Sequence, residues 1–285
     1  MNATEPWILP GSGALPLYGD TDRPAGTPRA CIVFLHGYMG YKDYGFIPVL
    51  GRRLADWGAV VHRFNFAFSG MTNNIESFER ADLFAQQTWN AQVYDTLCVI
   101  DAVKGGRLGG QGVPMVLMGH SRGGVAAILT AGRHGERAGL DAVVTIAAPE
   151  TSCSMDARAQ QAWLASGVLD VRSNRTGQEM AILSRWLEEQ IADPAGHRVL
   201  GQARQIQIPV LTTHGQADET VDPQSVKHIA EAAPNGRTTL IPDANHVFNM
   251  PNPPEPGGRA SEVFEVLSSA IEGFLGEMTD NKFAS

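Results

Sequence analysis

Six runs of strand length recur along the chain, and most lead into a stretch with helical spacing. Cys31–Leu35 is continuously apolar and ends at His36-Gly37; Leu50, Leu54 and Trp57 then share one face of a helix expected over Phe46–Trp57. Val60–Asn65 is the second run, and a long helical stretch follows from about Phe78 to Val103, stopped by Lys104-Gly105-Gly106. Pro114–Met118, a helix over Gly123–Arg133 and Ala142–Ile146 continue the series. Ile208–Thr213, a helix over Pro223–Ala233, Thr238–Ile241 and an amphipathic helix over Ser261–Met278 complete it. Apolar strands alternating with helices predict a parallel sheet covered on both faces.

Two stretches break the rhythm. The first 29 residues hold Pro6, Pro10, Pro16, Pro24 and Pro28, and read as loops with at most one short edge strand, because proline cannot donate to a sheet ladder. Residues 151–204 show helical patches (Ala157–Leu164, Met180–Ile191, Arg198–Ile206) and no strand. This insertion is either an ordinary helical connection or a small lid walling a substrate pocket. Trp163 and Trp186 lie in it, as core packing or as a ligand platform. Its Arg175-Thr176-Gly177-Gln178 stretch is polar with no local task.

The composition narrows the function. With 43% hydrophobic and 18% charged residues, the 285-residue chain can bury a large core, and it is read as one domain over 1–285. A net charge of −8 without a Lys/Arg stripe argues against nucleic acid as the main partner and leaves a small molecule. No apolar run approaches the ~18 residues of a membrane span, and Met1–Pro10 has no basic region before an apolar one. Cys31, Cys98 and Cys153 make no CxxC pair and no zinc spacing, so reduced thiols, a cytoplasmic location and no metal are expected.

The chemistry concentrates at Gly119-His120-Ser121-Arg122-Gly123, directly after the strand Pro114–Met118 and before a helix. A strand turning sharply into a helix strains its central residue and needs small neighbours, and it lifts Ser121 Oγ to a helix N-terminus, where developing negative charge is favoured. A serine hydroxyl needs a base, and the base needs an orienting acid. Of the eight histidines, His36, His62, His120, His134, His197 and His228 read as structural or solvated. His246, in the loop after the last strand, sits where sites form at the carboxyl end of a parallel sheet. Asp218, in the loop after the strand ending at Thr213, is the expected partner. Glu219, Asp222 and Asp243 compete, but Asp222 precedes Pro223 as a helix cap would, and Asp243 lies in the same turn as His246. An oxyanion hole would take the main-chain N–H of Arg122 and that of Tyr38 in the loop His36-Gly37-Tyr38-Met39-Gly40.

These pieces, with His214-Gly215-Gln216-Ala217-Asp218 and Asn245-His246, resemble the α/β-hydrolase superfamily, in particular bacterial serine esterases and dienelactone-hydrolase-like members, from about residue 30 to 276. The resemblance implies an α/β-hydrolase fold with about eight mostly parallel strands, and carboxylester hydrolysis through an acyl-enzyme without a cofactor. Ser121, Asp218 and His246 would form the triad. Two positions depart from the pattern. Ser121 stands where dienelactone hydrolases carry cysteine, and Asn65-Phe66-Ala67-Phe68-Ser69-Gly70 replaces a more polar loop, either to line an apolar acyl pocket or simply to pack. Peptidase or amidase, thioesterase or acyltransferase chemistry on the same triad are the rival enzymatic readings. A non-catalytic ligand-binding module is the rival from another class.

Overall fold

Eight strands form one sheet in the order β1-β2-β4-β3-β5-β6-β9-β10 in the computed structural model, which describes residues 4–254 and 259–283. The strands are β1 (Thr4–Pro10), β2 (Pro16–Asp22), β3 (Ala30–Leu35), β4 (Ala59–Phe64), β5 (Met115–His120), β6 (Ala142–Ile146), β9 (Val210–Gly215) and β10 (Gly236–Ile241). From β4 to β10 every neighbouring pair is parallel, while β1 and β2 add antiparallel. The alternation seen in the sequence is therefore a mostly parallel sheet, as the spacing predicts. Residues two apart face the same side. Ile32, Phe34, Val116 and Met118 pack against α1 (Ile47–Trp57) and α10 (Glu262–Phe283), while Val33, Leu35 and Leu117 pack toward α3 (Trp89–Lys104) and α4 (Arg122–Ala138). Each such buried side chain contributes about 1.5–3 kcal/mol, so the two cores fix the register of the strands that carry the site.

The N-terminal expectation is corrected. Residues 4–22 form a two-stranded hairpin rather than loops, because Pro6 and Pro10 fall on β1, at the sheet's edge, where a missing N–H is tolerated. The single helix expected over 78–103 is two, α2 (Ala81–Phe84) and α3. Thr88 caps the second by accepting the Ala91 N–H at 3.1 Å, and the Glu189 carboxylate accepts those of Trp89 (2.5 Å) and Asn90 (3.2 Å).

Glu189 belongs to the insertion, which is also less helical than expected. It contains α5 (Ala157–Ser166), then β7 (Val168–Arg172) and β8 (Glu179–Leu183), which pair only with each other, then α6 (Arg185–Ala192), α7 (Pro194–His197) and α8 (Val199–Ala203). The strand β8 (Glu179–Leu183) leads almost directly into α6, so its apolar residues extend the helical spacing and hide the boundary. After α8 the chain returns through β9, α9 (Gln224–Ala232) and β10. Among the described residues no helix is long and apolar enough to cross a membrane.

Candidate active site

Between β5 and α4 the chain reverses at Ser121, with φ 54° and ψ −123°. A non-glycine residue in this region stores about 1–3 kcal/mol of strain and persists only where its surroundings impose it. A Cβ on Gly119 would lie 2.1 Å from the Gly123 carbonyl oxygen, and one on Gly123 would lie 2.3 Å from that of Leu35. The glycines of the motif are thus demanded by close approach of main chain to main chain. The Ser121 N–H donates to the Ile146 carbonyl at 2.8 Å, tying the turn to β6.

The loop after β3 lies against this turn. A Cβ on Gly37 would approach Ser121 Cβ to 3.0 Å. His36 holds the loop as a neutral ring: its Nδ1–H donates to the Gly37 carbonyl (2.8 Å) and its Nε2 accepts the Phe66 N–H (3.3 Å). Burial pushes its pKa down to about 4, outweighing the Gly37 bond. Among the described residues the main-chain N–H groups of Tyr38 and Arg122 have no hydrogen-bond partner, and a small cavity of about 40 Å³ opens beside Tyr38, Ser121 and His246.

Asp218 follows β9 and is saturated with donors. Its Oδ2 accepts His246 Nδ1–H at 2.7 Å and His214 Nε2–H at 2.9 Å, while Oδ1 accepts the N–H groups of Thr220 (2.8 Å) and Val221 (3.0 Å). Burial alone would raise this carboxyl, but the hydrogen bonds from His214 and His246 and the charge of His246 hold it well below the usual carboxylate range. The other acids do different things. Asp222 accepts the Gln224 N–H at 2.9 Å at the start of α9, as the cap it was expected to be, and Asp243 is exposed. The loop bearing His246 is shaped by Asn245, whose Oδ1 accepts the N–H groups of Val247 and Asn249 at 3.0 and 2.8 Å.

Ser121 and His246 line one cleft of about 690 Å³ together with Tyr38, Tyr44, Thr220 and Arg175. No hydrogen bond joins Ser121 Oγ to His246 among the described residues, a looseness common before substrate binds. Asn65–Gly70 takes no part in this cleft. It packs instead: Asn65 Oδ1 accepts the Lys42 N–H at 2.7 Å, and Phe66 lies 4.9 Å from the His36 ring. Among the described residues no three histidine, cysteine or carboxylate groups are placed to hold a metal ion.

Three features escaped the sequence reading. His214 is a second imidazole on Asp218, and its i, i+4 spacing was the only available sign. His120 donates Nε2–H to the His246 carbonyl at 2.9 Å, and burial keeps it neutral, with a pKa pushed down to about 3. The Arg122 guanidinium lies 4.2 Å from the Tyr38 ring centre, 5.0 Å from Trp186 and 5.8 Å from Trp89, so the insertion packs over the residue after Ser121.

Residues 26–192, more than half of the chain, match the family described as serine aminopeptidase, S33. No curated protein matches the sequence. Solved structures share the fold at low identity. Est1E from Butyrivibrio proteoclasticus with ferulic acid bound has a TM-score of 0.72 at 18% identity, covering 95% of this chain and 98% of that one. A putative hydrolase from Agrobacterium vitis has a TM-score of 0.69 at 20% identity, covering 96% and 99%. A dienelactone hydrolase from Anabaena variabilis has a TM-score of 0.60 at 15% identity, covering 96% and 98%. The strained serine turn, the loops gathered at the carboxyl ends of the strands and the family match agree: the chain belongs to the serine aminopeptidase S33 family of α/β-hydrolases.

Proposed function

We propose that the chain is a serine hydrolase that cleaves carboxylic esters through an acyl-enzyme, with Ser121 as nucleophile, His246 as base and Asp218 as the orienting acid. The observation that carries this reading is the 2.7 Å bond from His246 Nδ1 to a saturated Asp218 carboxylate, on a ring that walls the same cleft as Ser121. With Nδ1 committed to Asp218, Nε2 is the atom free to take the Ser121 proton as Oγ attacks the ester carbonyl. The carbonyl oxygen would then lodge against the free N–H groups of Tyr38 and Arg122. His246 next protonates the leaving alcohol, and a water that it deprotonates releases the acid and regenerates Ser121.

The family description names an aminopeptidase, but a cleft that receives a protonated amine needs acids, and Glu219 stands here beside Arg172 and Arg175. This balance favours esters over peptides with a free amino terminus. The three free cysteines support a cytoplasmic location. The test is hydrolysis of matched ester, thioester and amide panels by wild type and Ser121→Ala. Ester turnover falling about 10⁴- to 10⁶-fold in a folded variant is expected. A folded Ser121→Ala retaining a tenth of the rate excludes this mechanism.

A further inference from the structure

The turn between β7 and β8 carries Arg175 into the cleft that holds Ser121 and His246, and Arg172 at the end of β7 lines the same space. Arg175 rests over the rings of Tyr41 (4.9 Å) and Phe78 (5.4 Å). Of its five N–H donors, one meets the Ile75 carbonyl and one the Met71 sulfur at 3.8 Å, while Nε is buried without a partner. Among the described residues neither Arg172 nor Arg175 forms an ion pair, although the chain has 30 acidic residues against 22 basic ones. The carboxylate lining this cleft is Glu219, and Glu179 stands opposite Arg172 in the β7–β8 register, so the guanidinium without a facing acid there is that of Arg175. A guanidinium held over aromatic rings and without an ion-pair partner among the described residues suits a planar two-oxygen anion.

We propose that Arg175 and Arg172 form a carboxylate-binding subsite, and that the substrate is an ester carrying a free carboxylate in addition to the scissile bond. This rests on the ester-hydrolase reading above and narrows its substrate class. The arginines belong to the insertion and the reacting groups to the sheet, so the anion would anchor one end of the substrate while the ester reaches Ser121.

The test compares two pairs of substrates, one with the charge in the acid half and one with it in the alcohol half. The first is mono-4-nitrophenyl glutarate against 4-nitrophenyl valerate; the second is 4-acetoxybenzoate against phenyl acetate. Rates are corrected with Ser121→Ala, and each pair is read as a ratio of kcat/KM. In wild type the charged member of at least one pair is expected to be favoured about 10- to 100-fold, mostly through KM. In Arg175→Gln, Arg172→Gln and their double variant that ratio should fall toward one, with Arg175→Lys intermediate. A merely structural role would lower both members of a pair together and leave the ratio standing, which overturns the proposal. So does a wild-type ratio near one in both pairs.

Absence of Ser121-dependent turnover of all four esters overturns the esterase reading instead. Calorimetric titration of glutarate and 4-hydroxybenzoate into Ser121→Ala then decides the subsite by itself. Binding abolished by Arg175→Gln supports it, and no binding of either acid refutes it.

Discussion

His120 donates Nε2–H to the main-chain carbonyl of His246 at 2.9 Å, so the residue before Ser121 holds the loop that carries His246. The two rings lie 4.8 Å apart, and the His120 ring is wedged against Phe46 at 5.0 Å. Cutting this tie lets the His246 loop drift relative to Ser121. His120→Leu is expected to lower kcat about 10- to 100-fold, since a misplacement near 1 Å costs on that order. His120→Gln, which keeps a donor, should recover part of the loss. Steady-state kinetics on folded variants check this, and equal rates for Leu and Gln would show that the hydrogen bond is immaterial.

Asp218 and Asp222 are four residues apart but differ in what they hold. Asp218→Asn replaces an acceptor of the His246 Nδ1–H with an amide that can present a donor, and kcat should drop by up to about 10⁴ through the wrong tautomer. Asp222→Asn keeps an oxygen for the Gln224 N–H and should leave kcat within a few-fold. A large loss at Asp222 would reassign the acid.

If the Tyr38 main chain is the oxyanion donor, Tyr38→Phe is expected to stay within a few-fold of wild type. The ring that faces Arg122 survives, and among the described residues the phenol makes no hydrogen bond that would be lost. Gly37→Val should cost about 10²- to 10³-fold in kcat, because even its Cβ would meet Ser121 Cβ at 3.0 Å and tilt the donor. The reverse order, measured on a small ester, would make the phenol the working group.

Acid should unfold this protein early. Burial pushes His36 and His62 down to about 4 and His120 to about 3, all below the unfolded value near ~6.5. Their stabilisation is full above pH ~6.5 and is lost as pH falls toward their folded values, because the unfolded chain binds the protons first. Asp95 opposes this: burial raises it to about 6, so its contribution grows as pH falls through that value. Three protons taken up on unfolding against one released leave about two near pH 5, so stability falls by on the order of 3 kcal/mol per pH unit. Urea midpoints between pH 4 and 7 measure the slope, and a flat or inverted one contradicts the assignment.

Trp186 stacks on Trp163 at 5.5 Å and 19° and covers the Arg122 guanidinium. Trp186→Ala should cost about 3–5 kcal/mol through the cavity it leaves, read as a fall in the calorimetric Tm. A smaller loss is expected at Trp57, which is half-buried at the end of α1 under the Arg29 guanidinium.

The parallel strands were legible because each carries its own apolar run, as Cys31–Leu35 does. The strand-serine-helix arrangement was legible because Gly119 and Gly123 leave a fixed spacing. What the sequence hid depends on pairing across space. Pro6 and Pro10 argue against a strand until β1 is known to lie at an edge. Met180 and Ile182 look helical until Val168–Arg172 is seen opposite them. His120 reads from the sequence only as structural or solvated, because its partner lies 126 residues further on, beyond the reach of any local pattern.

β7 and β8 hydrogen-bond as strands only to each other, whereas Ser121, Asp218 and His246 sit on loops anchored in the eight-stranded sheet. The hairpin can therefore change its sequence without disturbing a single ladder bond of the scaffold beneath it. Selection, or a protein engineer, could exchange the Ser173–Gln178 tip as a cassette and redirect the enzyme toward a new clientele while the hydrolytic core is inherited intact.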